Sequence, residues 1–414
     1  MATMAHGASE TSVLSTGPAD CAVNETWDGP MGMCMPSANS GVPMAMLIVN
    51  GNAFAVYITE QGPRGRNTFA GPNMFMVDLG KTFGERHYLN LDYMGTVELW
   101  TFPSNGSPEL LQIGENQSNG QPFLDAQHPH SSPVMGLTLS DTINLGENES
   151  LKLFLAPRGE STDGPVAFMH RPTGKVNPDV PLGHHIGQDV GHISSTVIGE
   201  ALKLGNFHIE ASAFHGAEPQ PTQVDLPLGT PDSGAFRLTE ELSSAHSIMA
   251  SVAYVNAPEP ADPDIAFEVR TSASLYDQFH VSGGWEFFNT LIYGAITQYD
   301  HASILNSFLE EFWFHKEESN FWGRVEYLQR TSAELQISKI ADQNSGQWVW
   351  AFTAGYTRAL AHLGGAMLGL GGSVTADALP DDFSAAYGTS LPLTGKIFLQ
   401  VSGMGMTPYN KETK

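Results

Sequence analysis

The feature of this sequence that most constrains its fold is an alternation of polar and apolar residues with a period of two. It recurs in segments of about ten residues from residue 41 onward. In 207–213, phenylalanine, isoleucine and alanine alternate with histidine, glutamate and serine, and in 321–328 apolar positions alternate with Arg324 and Glu326. A period of two indicates β-strands. Because a dry core does not bury charges cheaply, the polar face predicts a water-filled lumen.

The composition agrees with a membrane barrel. Charged residues make up 15% of the chain, below the roughly 25% typical of soluble domains, whereas Gly is abundant at 43 residues and aromatics reach 10%. No apolar run approaches the roughly 20 residues that a transmembrane helix needs. The alternative is a soluble all-β protein. A net charge of −25 argues against a nucleic-acid partner and is compatible with cations drawn into the lumen.

The fold class predicted is all-β, a transmembrane antiparallel β-barrel of about 16 strands, with 14 or 12 as alternatives. The sixteen candidate strands are 41–58, 70–80, 87–101, 134–143, 150–157, 193–203, 206–216, 233–242, 247–257, 265–275, 285–298, 302–314, 320–330, 348–360, 364–376 and 393–405.

Lengths of the connections support this prediction. Links after strands one, three, five, seven, thirteen and fifteen are long, and those after two, four, six, eight, twelve and fourteen are short. Such alternation is typical of outer-membrane barrels, which have short periplasmic turns and long outer loops. Short links after strands nine and eleven, and a longer one after strand ten, depart from the pattern. Aromatic residues at 285–288 and 312–314 are expected to form a girdle at the membrane interface.

The predicted organisation has three parts: a flexible or lumen-lying N-terminal segment (1–40), the barrel (41–406) and a C-terminal tail (407–414). The start lacks a basic region and an apolar core, so we expect a mature chain, without its signal peptide, from the outer membrane of a Gram-negative bacterium. Cys21 and Cys34 are expected to form a disulfide in an oxidising periplasm. As an alternative, Met33, Cys34 and Met35 offer soft sulfur ligands for Cu(I).

Six of the fifteen histidines lie between residues 128 and 192, in the second and third predicted long loops. These loops are neighbours on one side of the barrel, so their histidines can meet. Imidazole is the commonest metal ligand in proteins, and nearby carboxylates bind or orient it. The candidate metal ligands are His128, His130, His184, His185, Asp189 and His192. The alternative is that these groups fold the loops into a lumen plug, with Asp125 and Asp189 pairing with histidines or Arg171.

Nothing in the sequence indicates an enzyme. Ser194, His192 and Asp189 are close along the chain, but sequence proximity does not make a catalytic triad, and no Gly-x-Ser-x-Gly elbow is present. Arg64 lies in a predicted turn at 62–65 and is expected to pair with an acidic neighbour.

Six ordered segments carry a resemblance: 62–65, 110–115, 125–130, 167–172, 183–193 and 214–219. Together they resemble a family of uncharacterised proteobacterial exported proteins that are typically encoded beside copper-resistance and heavy-metal efflux genes. The resemblance covers about residues 44–405 and implies copper or another metal. The chain departs from it at 186–188, where members have a tryptophan, and at Ala217, where members have an arginine.

The function expected is therefore a channel or pore whose entrance is shaped by the histidine loops, linked to copper handling. The alternative is a closed structural barrel that scaffolds a partner. Expected partners are outer-membrane lipid, metal ions or small solutes, and either further copies of the chain or a periplasmic or envelope protein.

Overall fold

The computed structural model describes residues 45–130, 133–226, 228–258, 265–298, 304–338 and 342–408, and the backbone of 25–28 and 33–36. Sixteen antiparallel strands close into one barrel. They are β1 (Ala45–Glu60), β2 (Asn73–Phe83), β3 (His87–Gly95), β4 (Gly136–Gly146), β5 (Glu149–Gly159), β6 (Ser194–Leu204), β7 (Phe207–His215), β8 (Ser233–Ser243), β9 (His246–Asn256), β10 (Phe267–Val281), β11 (Trp285–Gln298), β12 (Ile304–Lys316), β13 (Ser319–Arg330), β14 (Gln347–Leu363), β15 (Ala366–Ala378) and β16 (Leu393–Pro408).

Closure of the barrel comes from pairing between β1 and β16, which runs from Glu60 opposite Thr394 to Met46 opposite Pro408. A short strand, Asn67–Ala70, pairs with residues 56–59 of β1, next to the part of β1 that pairs with β2. A closed barrel satisfies every backbone hydrogen bond between strands, which is what a membrane requires. Glu25–Asp28 pairs with Met33–Pro36 in a separate two-stranded sheet.

The predicted barrel is confirmed, and each predicted segment corresponds to one strand. Strand three was predicted too long, because it ends at Gly95 and Glu98–Thr101 is helical. Strand ten was predicted too short, however, because it continues to Val281 rather than ending at residue 275. The part of this strand nearest the short turn has polar residues on both faces, so its sequence does not alternate clearly. Asp277, which faces outward there, has a partner on the neighbouring strand: its Oδ1 lies 2.7 Å from His246 Nδ1. The link after strand ten is therefore a short turn at 282–284.

Long loops and short turns alternate strictly around the barrel. The links at one end are short, at 84–86, 147–148, 205–206, 244–245, 282–284, 317–318 and 364–365. The links at the other end are 61–72, 96–135, 160–193, 216–232, 257–266, 299–303, 331–346 and 379–392.

The barrel wall is inverted relative to a soluble protein, with apolar side chains outside and polar ones inside. Exposed outward residues include Val49, Leu79, Leu139, Leu155, Ile198, Phe236, Val252, Leu291, Phe308, Phe352, Val374, Ile397 and Leu399. Buried inward residues include Ser212, Ser251, Ser272, Thr290, Ser307, Glu311, Arg324, Glu326, Thr353, Lys396 and Gln400. A continuous apolar belt of this kind is stable only against lipid, so the barrel spans a membrane.

Aromatic rings gather at both ends of this belt. At the long-loop end, Tyr327 stacks on Trp348 with ring centroids 4.2 Å apart. At the short-turn end, Phe287 stacks on Phe314 at 4.4 Å. These positions agree with membrane-interface girdles.

The girdle prediction was wrong for two of its residues, because successive residues of a strand face opposite sides. Phe288 and Trp313 point into the lumen, where their rings stack 5.0 Å apart. There they pack with Trp322 and Phe398.

In the described part of the chain, helices are short and lie in the long loops: α-helices at Glu98–Thr101 and Asp381–Tyr387, and irregular helical turns at His184–Gln188 and Val190–His192. Among the described residues, none of the helices has both the length and the apolar character needed to cross a membrane.

The third long loop, 160–193, folds into the barrel and fills its lumen, so we call it the plug. From residue 161 to 193 its residues are buried, with three half-buried exceptions at Val166, Lys175 and His185. Loops usually lie on the protein surface, because buried backbone needs hydrogen-bond partners. The polar inner wall of the barrel supplies those partners.

One side of the wall holds the first part of the plug through its backbone. Thr162 N donates to Ser212 Oγ at 2.9 Å, and Gly164 N donates to Ser251 Oγ at 2.9 Å. These acceptors lie on β7 and β9.

The opposite side of the wall holds the second part. Asn52 Nδ2 of β1 donates to Lys175 O at 2.6 Å, and Leu182 N donates to Glu326 Oε1 of β13 at 2.6 Å. Lys396 of β16 forms a buried ion pair with Asp179. The plug therefore crosses the lumen from wall to wall.

The centre of the plug is fixed by a buried carboxylate with two arginine partners. Glu311 Oε2 accepts a hydrogen bond from Arg171 Nε of the plug at 3.0 Å. Glu311 Oε1 accepts one from Arg324 Nε of β13 at 3.0 Å. All three side chains are almost completely buried.

A charge placed on the lipid-facing wall tests the membrane-spanning arrangement. Leu399→Arg, about halfway along β16, is expected to lower the free energy of unfolding in lipid vesicles by about 2–4 kcal/mol. Leu391→Arg is the control, because this exposed residue lies in the last long loop. Equal unfolding free energies of the two variants in denaturant titrations would contradict a lipid-facing β16.

A second test targets the anchor of the plug. Arg171→Met leaves Glu311 with one of its two guanidinium partners, and breaking a buried ion pair costs about 3–5 kcal/mol. We expect the plug to become sensitive to protease and the protein to show more frequent openings in planar bilayers. The control, Arg237→Met, removes an arginine that pairs within the wall, with Glu210 at 2.7 Å. If both variants behave alike, the Arg171 anchor does not hold the plug.

Candidate functional site

Five histidines from two loops surround one cavity of about 30 Å³ at the long-loop end of the barrel. They are His128, His130, His184, His185 and His192, and with Asp189 we call them the histidine centre. Neighbouring rings are close: centroids lie 4.6 Å apart for His184 and His185, 4.8 Å for His184 and His192, and 5.2 Å for His130 and His192. The cavity can hold a water molecule or an ion, since one water needs about 10–15 Å³.

Two of these histidines come from the second long loop, just after its hairpin strand Pro122–Gln127. His130 is held twice by the buried Glu98: its backbone N donates to Glu98 Oε2 at 2.9 Å, and its Nδ1 lies 2.6 Å from the same oxygen. His128 Nδ1 donates to Pro129 O at 3.1 Å. Both rings therefore have defined orientations.

The other three come from the end of the plug, where the irregular helical turn His184–Gln188 is followed by Val190–His192. This turn approaches the barrel wall at two glycines. A Cβ on Gly187 (φ +68°) would lie 2.8 Å from Ala295 N, and a Cβ on Gly294 would lie 2.3 Å from Ile186 O. Glycine at both positions lets the turn pack on β11.

Metal-ligating atoms of this region form three overlapping groups. In each group, one atom from each residue lies within 4.8 Å of the others. The groups are His184, Asp189 and His192; His128, His184 and His185; and Glu115, His185 and Glu218. Ligand atoms around a tetrahedral ion with bonds of about 2.0 Å lie about 3.3 Å apart, so modest side-chain rotations would close each group on an ion.

Several ring nitrogens of the centre are buried and have no hydrogen-bond partner among the described residues, and the tautomer of His192 is fixed. His192 Nδ1 donates to Asp189 O at 2.6 Å, which leaves the lone pair on Nε2. Neither His192 Nε2 nor His184 Nδ1 has a hydrogen-bond partner among the described residues. His184 is 4% and His192 7% exposed. Buried polar atoms normally have partners, and a donated Nδ1–H is the usual arrangement behind a metal-binding Nε2.

Burial lowers the pKa of four of the five imidazoles and keeps them neutral, which is the form that binds metal. At His130, burial is outweighed by the nearby Glu98 carboxylate, so the pKa is raised. Burial and the nearby His130 lower the pKa of His128 to about 4 and the pKa of His192 to about 3. Burial raises the pKa of Asp189 to about 7, although Arg171 partly opposes that shift. At neutral pH, His128 and His192 therefore present neutral nitrogen ligands.

Outside the centre, Asp125 ties the long loops together. Its Oδ2 accepts a hydrogen bond from Arg64 Nε at 2.5 Å, and its Oδ1 accepts one from Tyr387 OH at 2.7 Å. The expected acidic partner of Arg64 is thus Asp125. The expected pairing of Asp125 with a histidine or Arg171 was wrong, because Arg64 and Tyr387 occupy its carboxylate and Arg171 pairs with Glu311.

The structure brings together all six loop residues predicted from sequence: His128, His130, His184, His185, Asp189 and His192. Whether they bind a metal stays a prediction. The other predicted ligands, Met33, Cys34 and Met35, have side chains outside the described residues, as does Cys21.

Two carboxylates of the site were not predicted as ligands. Glu115 and Glu218 join His185 in one group, and Glu218 Oε2 lies 3.8 Å from His185 Nδ1. Both belong to segments that carry the family resemblance, 110–115 and 214–219. That position within the resemblance was the signal that could have identified them.

Ser194, His192 and Asp189, which are close along the chain, do not form a catalytic triad in the structure. Ser194 Oγ donates to Ser161 Oγ at 3.1 Å, and His192 Nδ1 is used by the backbone carbonyl of Asp189. The hydrogen bonds of these two side chains therefore do not form the relay of a nucleophilic triad.

No protein-family model matches the chain, and no curated protein is similar to it in sequence. Among solved structures, it is similar to the anion-selective porin from Comamonas acidovorans, with a TM-score of 0.51 and 10% identity, over 89% of this chain and 99% of that chain. It also matches the outer membrane channel DcaP of Acinetobacter baumannii, with a TM-score of 0.48 and 11% identity, over 87% of this chain and 97% of that chain. The likeness to the Comamonas porin supports a porin-like barrel fold.

The close approach of the plug turn to β11 gives a direct test of how the centre is positioned. Gly187→Ala combines a left-handed backbone, at about 1–2 kcal/mol, with a clash against the backbone of Ala295. We expect faster hydrogen exchange in 183–192 while the barrel strands stay protected. Gly164→Ala is the control, because Gly164 also has a positive φ (+84°) but open space around its Cβ. Equal exchange in the two variants would show that the contact with β11 does not position the turn.

Proposed function

We propose that this protein is an outer-membrane channel of a Gram-negative bacterium in which the histidine centre binds a transition-metal ion at the outer end of a plugged lumen. The observation that carries the proposal is the convergence of five histidines on one cavity. Four of them form, with Asp189, Glu115 and Glu218, three groups whose ligating atoms already lie within 4.8 Å of one another in each group. Imidazole and carboxylate ligands suit Cu(II) and Zn(II).

Copper is the ion we propose, because the sequence segments around the site resemble a family typically encoded beside copper-resistance genes. The net charge of −25 favours cations over anions near the protein. The plug crosses the lumen beside the centre, so passage of an ion requires the plug to move. Metal binding at the plug turn would trigger this movement, since the same residues form the turn and the ligand set.

A second candidate is a closed structural barrel that scaffolds a partner in the envelope. It is favoured by the near-complete burial of the plug and by its anchors on both sides of the wall. In that case, the histidines serve to fold the loops. Conductance separates the two candidates, because a structural barrel stays closed with and without metal.

The test of metal binding is elemental analysis of the detergent-purified protein after loading with Cu(II) and removal of the excess. We expect about one firmly held copper per chain at the histidine centre. The double variant His184→Ala/His185→Ala is expected to lose it, because these two residues take part in all three ligand groups. His208→Ala/His246→Ala is the matched control, since these histidines pair with Glu241 and Asp277 away from the centre.

Planar-bilayer recordings on the same samples complete the experiment. Copper-dependent conductance in the wild type and the control, absent from His184→Ala/His185→Ala, would support a metal-linked channel. Copper that stays bound in that double variant would overturn the histidine centre as the site. Stable silence of the wild type in all conditions would favour the structural barrel.

A further inference from the structure

Beside the histidine centre lies a cluster of buried methionines that come from separate parts of the chain. Met74 and Met94 point inward from β2 and β3, Met135 ends the second long loop, and Met169 belongs to the plug. They are between 1% and 8% exposed. A fifth, Met76, is half-buried and packs against them.

Three of these methionines, Met74, Met135 and Met169, line a cavity of about 40 Å³, which we call the methionine cavity. Methionine is the side chain best able to fill irregular gaps in a core, and protein interiors leave few voids larger than a water molecule. A cavity that remains between three flexible thioethers is therefore unexpected if their role is only to pack the lumen.

The methionine cavity and the histidine centre share a wall. His130 lines both cavities, and Glu98, which also lines the methionine cavity, orients the His130 ring from Nδ1 at 2.6 Å. Phe168 packs in the methionine cluster, and its ring lies 6.0 Å from His130 and 6.5 Å from His192. An ion at one site would thus be separated from the other by a single imidazole.

The chemistry of the two cavities differs. Thioether sulfur is a soft, neutral ligand that selects Cu(I) and similar ions, whereas imidazole and carboxylate also suit Zn(II) and Cu(II). Lys175 and Glu98 line the methionine cavity as well. Because these two residues carry opposite charges, the selectivity for a soft ion rests on the three thioethers.

We propose that the methionine cavity is a second metal site, selective for a soft monovalent cation such as Cu(I) or Ag(I), with Met74, Met135, Met169 and His130 as its ligands. It shares His130 with the lining of the histidine centre, but none of the three ligand groups of that centre contains His130. Its sulfur ligands and its ion differ from those of the proposed Cu(II) site, so it extends the proposed function without depending on it. The chain would then offer a hard and a soft site in succession along the path past the plug.

The test uses Ag(I), which does not change oxidation state under these conditions, and Zn(II) as the harder probe. Both are titrated into the full-length protein in detergent and measured by isothermal calorimetry and elemental analysis. In Met135→Leu/Met169→Leu, where leucine conserves volume, we expect loss of one Ag(I) equivalent, or at least a tenfold weaker Kd, with unchanged Zn(II) binding. The sulfur ligands at 31–35 are present in every variant, so the methionine cavity is tested by the difference in Ag(I) stoichiometry and Kd between variants.

Two controls decide between the sites. Met46→Leu/Met249→Leu changes two buried methionines outside the cluster and should leave Ag(I) binding intact. His184→Ala/His185→Ala should lose Zn(II) and keep the Ag(I) equivalent. Silver-edge X-ray absorption of the wild type should show sulfur neighbours that decrease in Met135→Leu/Met169→Leu.

Several outcomes would overturn the proposal. Wild-type Ag(I) stoichiometry equal to that of Met135→Leu/Met169→Leu would show that these thioethers bind no ion. Loss of the Ag(I) equivalent in His184→Ala/His185→Ala, with retention in the methionine variant, would place the ion in the histidine centre instead. Failure of Zn(II) to bind the wild type would contradict metal binding at the histidine centre. The methionine site would still be tested by the Ag(I) titrations alone.

Discussion

The position of the plug inside this protein depends on the ion pairs of one buried carboxylate, Glu311. This carboxylate accepts hydrogen bonds from Arg171 of the plug and from Arg324 of β13, and Thr173 Oγ1 adds a third at 3.1 Å. A charge buried in this way is stable only when it is well paired. The barrel provides the wall arginine, the plug provides the other, and their common partner fixes the plug across the lumen.

The histidine centre follows from that anchoring. Because the plug is held in the lumen, its last turn is pressed against β11 at Gly187 and Gly294. His184, His185 and His192 then face the second long loop, where Glu98 holds His130. Successive residues of the plug contact different parts of the interior. Phe168 packs near the histidine rings, Met169 lines the methionine cavity, and His170 Nε2 lies 2.7 Å from Glu160 Oε1.

Much of the fold could be predicted because lipid outside and water inside impose the same alternation on every strand. Strand β7 shows it clearly, with Phe207 exposed outward and Ser212 buried inward. The prediction failed where that alternation was weak, in the lower part of β10, because Asp277 faces outward with a histidine partner. It also failed for Phe288 and Trp313, since an aromatic residue near a strand end can belong to either face.

Local sequence alone determined the barrel, the side on which the long loops lie, and the residue types of the histidine centre, because these depend on periodicity, loop length and the nature of each side chain. A lumen plug was one alternative from the sequence, and the tertiary structure decided that loop 160–193 forms it. Tertiary structure alone decided that Glu115 and Glu218 join His185, and that methionines from β2, β3 and two loops share one cluster. The position of the plug depends on pairings between residues more than a hundred positions apart, such as Arg171 with Glu311, and the other two outcomes depend on side chains that separate loops and strands bring together. No local pattern records them, because each partner is chosen by the shape and polarity of the closed barrel.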